Sequence, residues 1–196
     1  MIYFTAGLFF GDSNILRLRH RPFLSVEHMD TQLVNNWNRN VNENDTVYIL
    51  GDMFASTKCS PQKYLKILKG KKHLIYANSD KKWMKKIDVN NYFVEHKSYD
   101  CITYGERELN ICHNYIPCVH CWDNEYLIYA NGSENTHSNY WFVRILSDNI
   151  LDASVDVNNY SPVTFEKMLI NNKKHKETSI LYKQYLDRII TVGGHK

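Results

Sequence analysis

The sequence predicts a layered α/β sandwich, with helices packed outside strand layers, on three observations. Strand-like and helix-like segments alternate through the first half of the chain, and β-branched and aromatic strand runs dominate the second. Gly, Pro, Asn and Asp punctuate the boundaries between them. At 196 residues and 23.2 kDa the chain is long enough for one domain with a substantial core and too short for two ordinary ones.

The elements follow in order. Short runs rich in β-branched and aromatic residues predict strands over 2 to 6, 45 to 50, 72 to 77, 99 to 104, 108 to 113, 125 to 130, 139 to 146 and 150 to 157. From Ser25 to about Asn40, Val26, Met29, Leu33 and Trp37 form one stripe, with Ser25 as N-cap and Glu27 favourable in the first turn. A second helix starts from Ser60 as N-cap and Pro61 at the first position, faces Tyr64, Leu65 and Leu68 inward, and ends before Gly70. A third starts at Thr164, after Pro162. The tail from Glu177 to Ile190 has helical spacing and stops at Gly193-Gly194.

Composition narrows the class. With 43% hydrophobic and 23% charged residues, and no apolar run near the ~20 residues of a membrane span, the sequence predicts a soluble protein without a membrane partner. The N-terminal MIYFTAGLFF reads as a first strand and lacks the basic region of a signal peptide, which predicts a cytoplasmic location. Five cysteines, an odd count, are then expected as free thiols. A net charge of +3 does not announce a nucleic-acid binder, although KGKK (69 to 72) and DKKWMKK (80 to 86) gather lysines beside a tryptophan and leave nucleic acid open. A solvated face is the plain reading of such runs. Abundant Asn, Lys, Ile and Tyr suggest AT-rich coding, as in a low-GC bacterium or its phage.

Chemistry is expected just past strand ends, the usual address for ligands in open α/β sheets. Those ends read TAGLFFGD (5 to 12), LGDM (50 to 53), YANSD (76 to 80), ICHN (111 to 114) and YANGS (129 to 133). With RPFLSVEHMD, NNWNRNV, NDTVYILGD and SVDVNNYSPVTFEKM, they resemble the calcineurin-like metallophosphoesterase superfamily in its small bacterial and phage branch, in motif order from residue 1 to about 170. The resemblance implies an α/β/β/α sandwich over 1–170, a helical extension over 171–196 packed on the same domain, and a two-metal phosphoester-cleaving site at the sheet edge.

Taken residue by residue, the resemblance implies a degenerate site. The family's Asp-x-His positions hold Gly7 and Phe9, which carry no donor atom. Gly51-Asp52 keeps the bridging carboxylate. In Ala77-Asn78-Ser79-Asp80 the Asn ligand and the last Asp remain, and Ser79 replaces the His that would contact phosphate or protonate the leaving group. His113 remains, and the Gly-His-x-His motif corresponds to Ala130-Asn131-Gly132-Ser133, where Ser133 replaces a histidine. Asp52, Asn78, His113 and Asn131 would hold at most one weakly bound Mn²⁺, Zn²⁺ or Mg²⁺, or no cofactor.

Two functions follow. The first is a pseudoenzyme that binds a protein or a phosphate-bearing, nucleotide-type ligand through Ser79, Asp80, Lys81 and Lys82; in a phage it would suit a counter-defence inhibitor. For a protein partner, Trp122, Tyr126, Tyr140 and Trp141 mark the surface. The second is a weak single-metal phosphodiesterase. Plain structural readings stand beside both: Asp52, Asn78 and Asp80 as turn residues, and His113 as a core histidine. A zinc site in CHNYIPCVHC (112 to 121) has one Cys-x-x-Cys pair where structural zinc normally takes two pairs, so its cysteines read as small hydrophobes.

Overall fold

The structure is a computed structural model that describes residues 1–54, 60–114, 124–130 and 147–178. Two four-stranded sheets form the fold, ordered β1-β2-β3-β4 and β5-β6-β7-β8. The first comprises β1 (Ile2–Thr5), β2 (Thr46–Ile49), β3 (Lys71–Ile75) and β4 (Glu95–Lys97), all parallel. The second comprises β5 (Tyr99–Tyr104), β6 (Arg107–Cys112), β7 (Glu125–Tyr129) and β8 (Ile150–Asp152). The pair β5/β6 is an antiparallel hairpin, closed by a two-residue turn with Gly105 at φ +63°, and the other pairs are parallel.

Sequential parallel strands with right-handed crossovers put their helices on one face of the sheet. That face receives α1 (Ser13–Leu18), α2 (Val26–Asn40), α3 (Pro61–Leu65) and α4 (Lys81–Met84). The period-2 alternation of a strand then divides the core. Tyr3, Val47, Ile49 and Leu74 pack against the helical stripe Met29, Leu33 and Trp37. Phe4, Tyr48, Leu50 and Ile75 point the other way and meet Leu109, Ile111, Ile128 and Leu151 of the second sheet. A long C-terminal helix, α5 (Phe165–Thr178), packs on β8 and β1 and sends Phe165 and Met168 into the layer between the sheets. The free edge of β1 is closed by backbone pairing of Phe4 with Val163 and of Ala6 with the Ser154–Val155 stretch.

The α2 stripe is as predicted, with Ser25 Oγ accepting from His28 N at 3.2 Å. Several boundaries differ. The second predicted helix stops at Leu65, because the α2 side chains of Trp37 and Asn38 capture the carbonyls of Lys69 and Ile67. The last predicted strand stops at Asp152, whose Oδ1 accepts from Ser154 N and Oγ and turns the chain toward β1. Helices α1 and α4 and the charged edge strand β4 were not anticipated. Helix α5 runs unbroken through residues 170 and 171, with Asn171 and Asn172 buried. The predicted strand over 139 to 146 and the tail helix beyond 178 lie outside the described residues.

Candidate functional site

Because β1, β2, β3 and β6 run the same way through the two sheets, their C-terminal ends bring residues 7, 9, 52, 78, 79 and 113 to one edge. The first two strand ends are laced together: Gly7 N donates to Gly51 O (3.2 Å), Phe9 N to Asp52 O (2.9 Å) and Phe10 N to Met53 O (3.0 Å). Both loops use the left-handed region, with Gly7 at φ +66°, Phe9 at +51°, Gly51 at +70° and Asp52 at +52°. Asp tolerates that region; a bulky Phe there is strained and is held by its surroundings.

Asp52 forms the centre. One carboxylate oxygen accepts from Ser79 Oγ at 2.6 Å, and the other stands 3.6 Å from His113 Nε2. His113 is oriented from behind, its Nδ1 lying 2.8 Å from Leu50 O. A carbonyl only accepts, so Nδ1 carries a proton, and Nε2 is the ring nitrogen that faces Asp52. Gly51 makes this approach feasible: a Cβ there would lie 2.7 Å from His113 Nδ1 and 2.9 Å from Ala77 N. Asn78 and Ser79 are exposed, as are Lys81 and Lys82, with Lys81 Nζ 5.7 Å from the centroid of the Tyr76 ring.

Asp80, expected among the ligand-binding residues, is instead fully buried. Its carboxylate accepts from Ala77 N, Asp52 N, Met53 N and Trp83 Nε1, and burial raises its pKa above the ordinary carboxylate value. It pins the β3 loop to the β2 loop and is closed to a ligand. Trp83, next to the lysines in sequence, is core. Tyr126, expected on a partner surface, is half-buried, its ring edge-on to Phe165 at 4.9 Å. Asn131, Ser133, Trp122, Tyr140 and Trp141 lie outside the described residues, as do Cys118 and Cys121. Cys112 is buried, which pushes its thiol up to about 12, and Cys101 is exposed; both are free.

On the β1 side, Phe9 stands where the resemblance implies a ligand. The guanidiniums of Arg19 and Arg21 lie 5.8 and 5.7 Å from its ring centroid, a cation–π arrangement. Arg21 is buried, donates to Gly7 O (2.6 Å) and Leu8 O (3.1 Å), and grips Asp156 through Nε (2.8 Å) and Nη2 (2.9 Å). Sequence reasoning did not single out this arginine, because its carboxylate partner is 135 positions away. Among the described residues, no three His, Cys, Asp or Glu side chains converge as a metal cluster. No helix among them is long and apolar enough to cross a membrane.

No protein-family model matches the chain. It is 29% identical over 167 residues to an uncharacterized protein of Methanocaldococcus jannaschii, covering 84% of this chain and 87% of that one. Its fold is similar to the crystal structure of a protein of unknown function from Aquifex aeolicus, with a TM-score of 0.63 and 23% identity over 83% of this chain and 94% of that one.

Proposed function

We propose that this chain is a degenerate calcineurin-like phosphoesterase that works by binding a phosphate-bearing ligand, of nucleotide type, rather than by two-metal hydrolysis. The observation that carries the reading is the convergence of positions 7, 9, 52, 78, 79 and 113 on one sheet edge with a mixed inventory. The β1 side offers Gly7 and a Phe9 ring, and the β2, β3 and β6 side offers an Asp52–Ser79 hydrogen bond and an oriented His113. Exposed Asn78, Ser79, Lys81 and Lys82 stand beside it with donors for phosphate oxygens. A protein partner through Trp122, Tyr140 and Trp141 would use a surface outside the described residues.

A second reading, a weak single-metal phosphodiesterase, is favoured by one feature. A histidine that gives one ring N–H to a backbone carbonyl and turns the other nitrogen toward a carboxylate is poised as a metal ligand. Two donors each about 2.1 Å from a tetrahedral cation stand about 3.4 Å apart, near the His113–Asp52 separation of 3.6 Å. Asn78 would be the third ligand, with Ser79 competing for Asp52.

Elemental analysis by plasma mass spectrometry, after incubation with Mn²⁺, Zn²⁺ and Mg²⁺ and dialysis, separates the two readings. The expected result is well under one metal per chain, together with adenosine diphosphate binding that weakens about 10-fold in Lys82→Gln. One metal per chain, lost in Asp52→Ala and His113→Ala, would favour the second reading. Two per chain would overturn both.

A further inference from the structure

A separate cleft of about 460 Å³ lies between α2, the start of β1 and the 158–171 segment. Its lining includes Tyr3, near the N-terminal end of β1, whereas Gly7 and Phe9 follow the other end of that strand. The volume is in the range of small-molecule sites, but the lining is unusual for one, since such sites are mostly apolar. It mixes five asparagine side chains and three hydroxyls with apolar surface, carries the two cations Arg39 and Lys167, and has no carboxylate among its described lining residues.

The polar groups are held in place. Asn36 Nδ2 donates to Tyr160 O (3.1 Å), Asn40 Nδ2 to Ser161 Oγ (2.6 Å), and Asn158 Nδ2 to the carbonyls of Asp152 and Ser154 (both 2.9 Å). Asn171 Nδ2 in turn donates to Asn158 Oδ1 (3.2 Å). At the rim, Asn159 and Tyr160 both adopt left-handed backbone (φ +53° and +56°), a conformation a tyrosine holds only where its neighbours impose it. Arg39 gives a hydrogen bond to Asn36 Oδ1 (2.7 Å), one of the five N–H donors of its fork. Tyr3 is buried and its hydroxyl donates to Asn40 O, so it presents no ring face on which a base would stack.

We propose that this cleft binds a small anionic polyol, a sugar phosphate, whose hydroxyls pair with the second amide N–H of Asn36, Asn40 and Asn171, each of which gives one N–H to the protein, and whose phosphate lies between Arg39 and Lys167. Fixed amides suit hydroxyl groups because ordering them adds no cost at binding. Two cations with no opposing carboxylate select a negative charge.

Isothermal titration of the full chain with glucose 6-phosphate, beside glucose and inorganic phosphate, tests it. Saturable binding of one ligand per chain is expected, weaker by about 10-fold or more in Arg39→Gln and in Lys167→Gln, both exposed positions. Glucose and inorganic phosphate alone should each bind at least about 10-fold more weakly than the sugar phosphate. No saturable binding by about 10 mM would overturn the proposal. So would binding indifferent to both substitutions, or inorganic phosphate binding as tightly as glucose 6-phosphate. Binding lost in Lys82→Gln and kept in Arg39→Gln would place the ligand at the strand-end site and also overturn it.

Discussion

Gly51 is the residue on which the Asp52–His113 geometry turns. It combines a positive φ with a neighbourhood in which a methyl group would sit 2.7 Å from His113 Nδ1 and 2.9 Å from both Ala77 Cβ and Ala77 N. Backbone cannot yield as a flexible side-chain tip would, so the strain falls on the histidine and on the β2–β3 spacing. Gly51→Ala is expected to destabilise the fold by about 2–4 kcal/mol, adding left-handed strain to overpacking. Urea unfolding measures that loss, and the His113 imidazole NMR signal should shift with it. A change under about 1 kcal/mol, with an unmoved histidine signal, would mean the approach is looser than described. Gly7 makes the opposite case for space: a Cβ there would meet only Phe9 and Ser154 atoms at 3.5 Å and beyond, although its φ of +66° still disfavours a side chain.

Among elements, the loop after α1 and the segment after β8 are joined by one buried guanidinium. Arg21 makes two hydrogen bonds to Asp156 and two to the β1 loop carbonyls, and Arg19 adds a longer contact to Asp156 at 3.9 Å. Arg21→Met fills much of the volume but leaves a part-buried carboxylate and two carbonyls without their donor. Breaking a buried pair from one side costs about 3–5 kcal/mol, and that is the loss expected in denaturant unfolding. Arg21→Lys should recover less than half of it, since one ammonium cannot reproduce the planar fork. A fully stable Arg21→Met protein would show that these loops are held by packing alone. The same arginine sets the backbone around Gly7 and Phe9, so its loss is expected to disturb the β1 side of the strand-end site as well.

At the scale of the whole molecule, the two sheets meet at a polar rim as well as an apolar core. His73 of β3 lies against Tyr48 (4.9 Å between rings) and 3.7 Å from Glu95, while Lys97 of β4 bonds Glu95 (2.9 Å) and Asp100 of β5 (3.0 Å). Burial lowers the His73 pKa below its ordinary 6.5, outweighing the attraction of Glu95 and Asp100. A histidine kept neutral in the fold and protonated more readily in the unfolded chain stabilises fully above pH 6.5 and loses that contribution as pH falls through the depressed folded value. Urea midpoints should therefore drop between about pH 7 and pH 5, and His73→Gln should flatten that slope. An unchanged slope would assign the acid sensitivity to other groups.

The α/β class, the α2 stripe with its Ser25 cap, and the seven predicted strands that fall at least partly on described residues were legible in sequence. Hydrophobic period and turn chemistry are local, and they act before any distant contact forms. The clustering of Asp52, Ser79 and His113 was legible only as positions at strand ends. Tertiary structure alone decided that Asp80 is a buried strut, that Trp83 and Tyr126 face inward, and that Arg21 finds Asp156. Those outcomes depend on which side chain reaches which partner across the sheets, and burial converts an ordinary turn aspartate or loop arginine into a fixed part of the core.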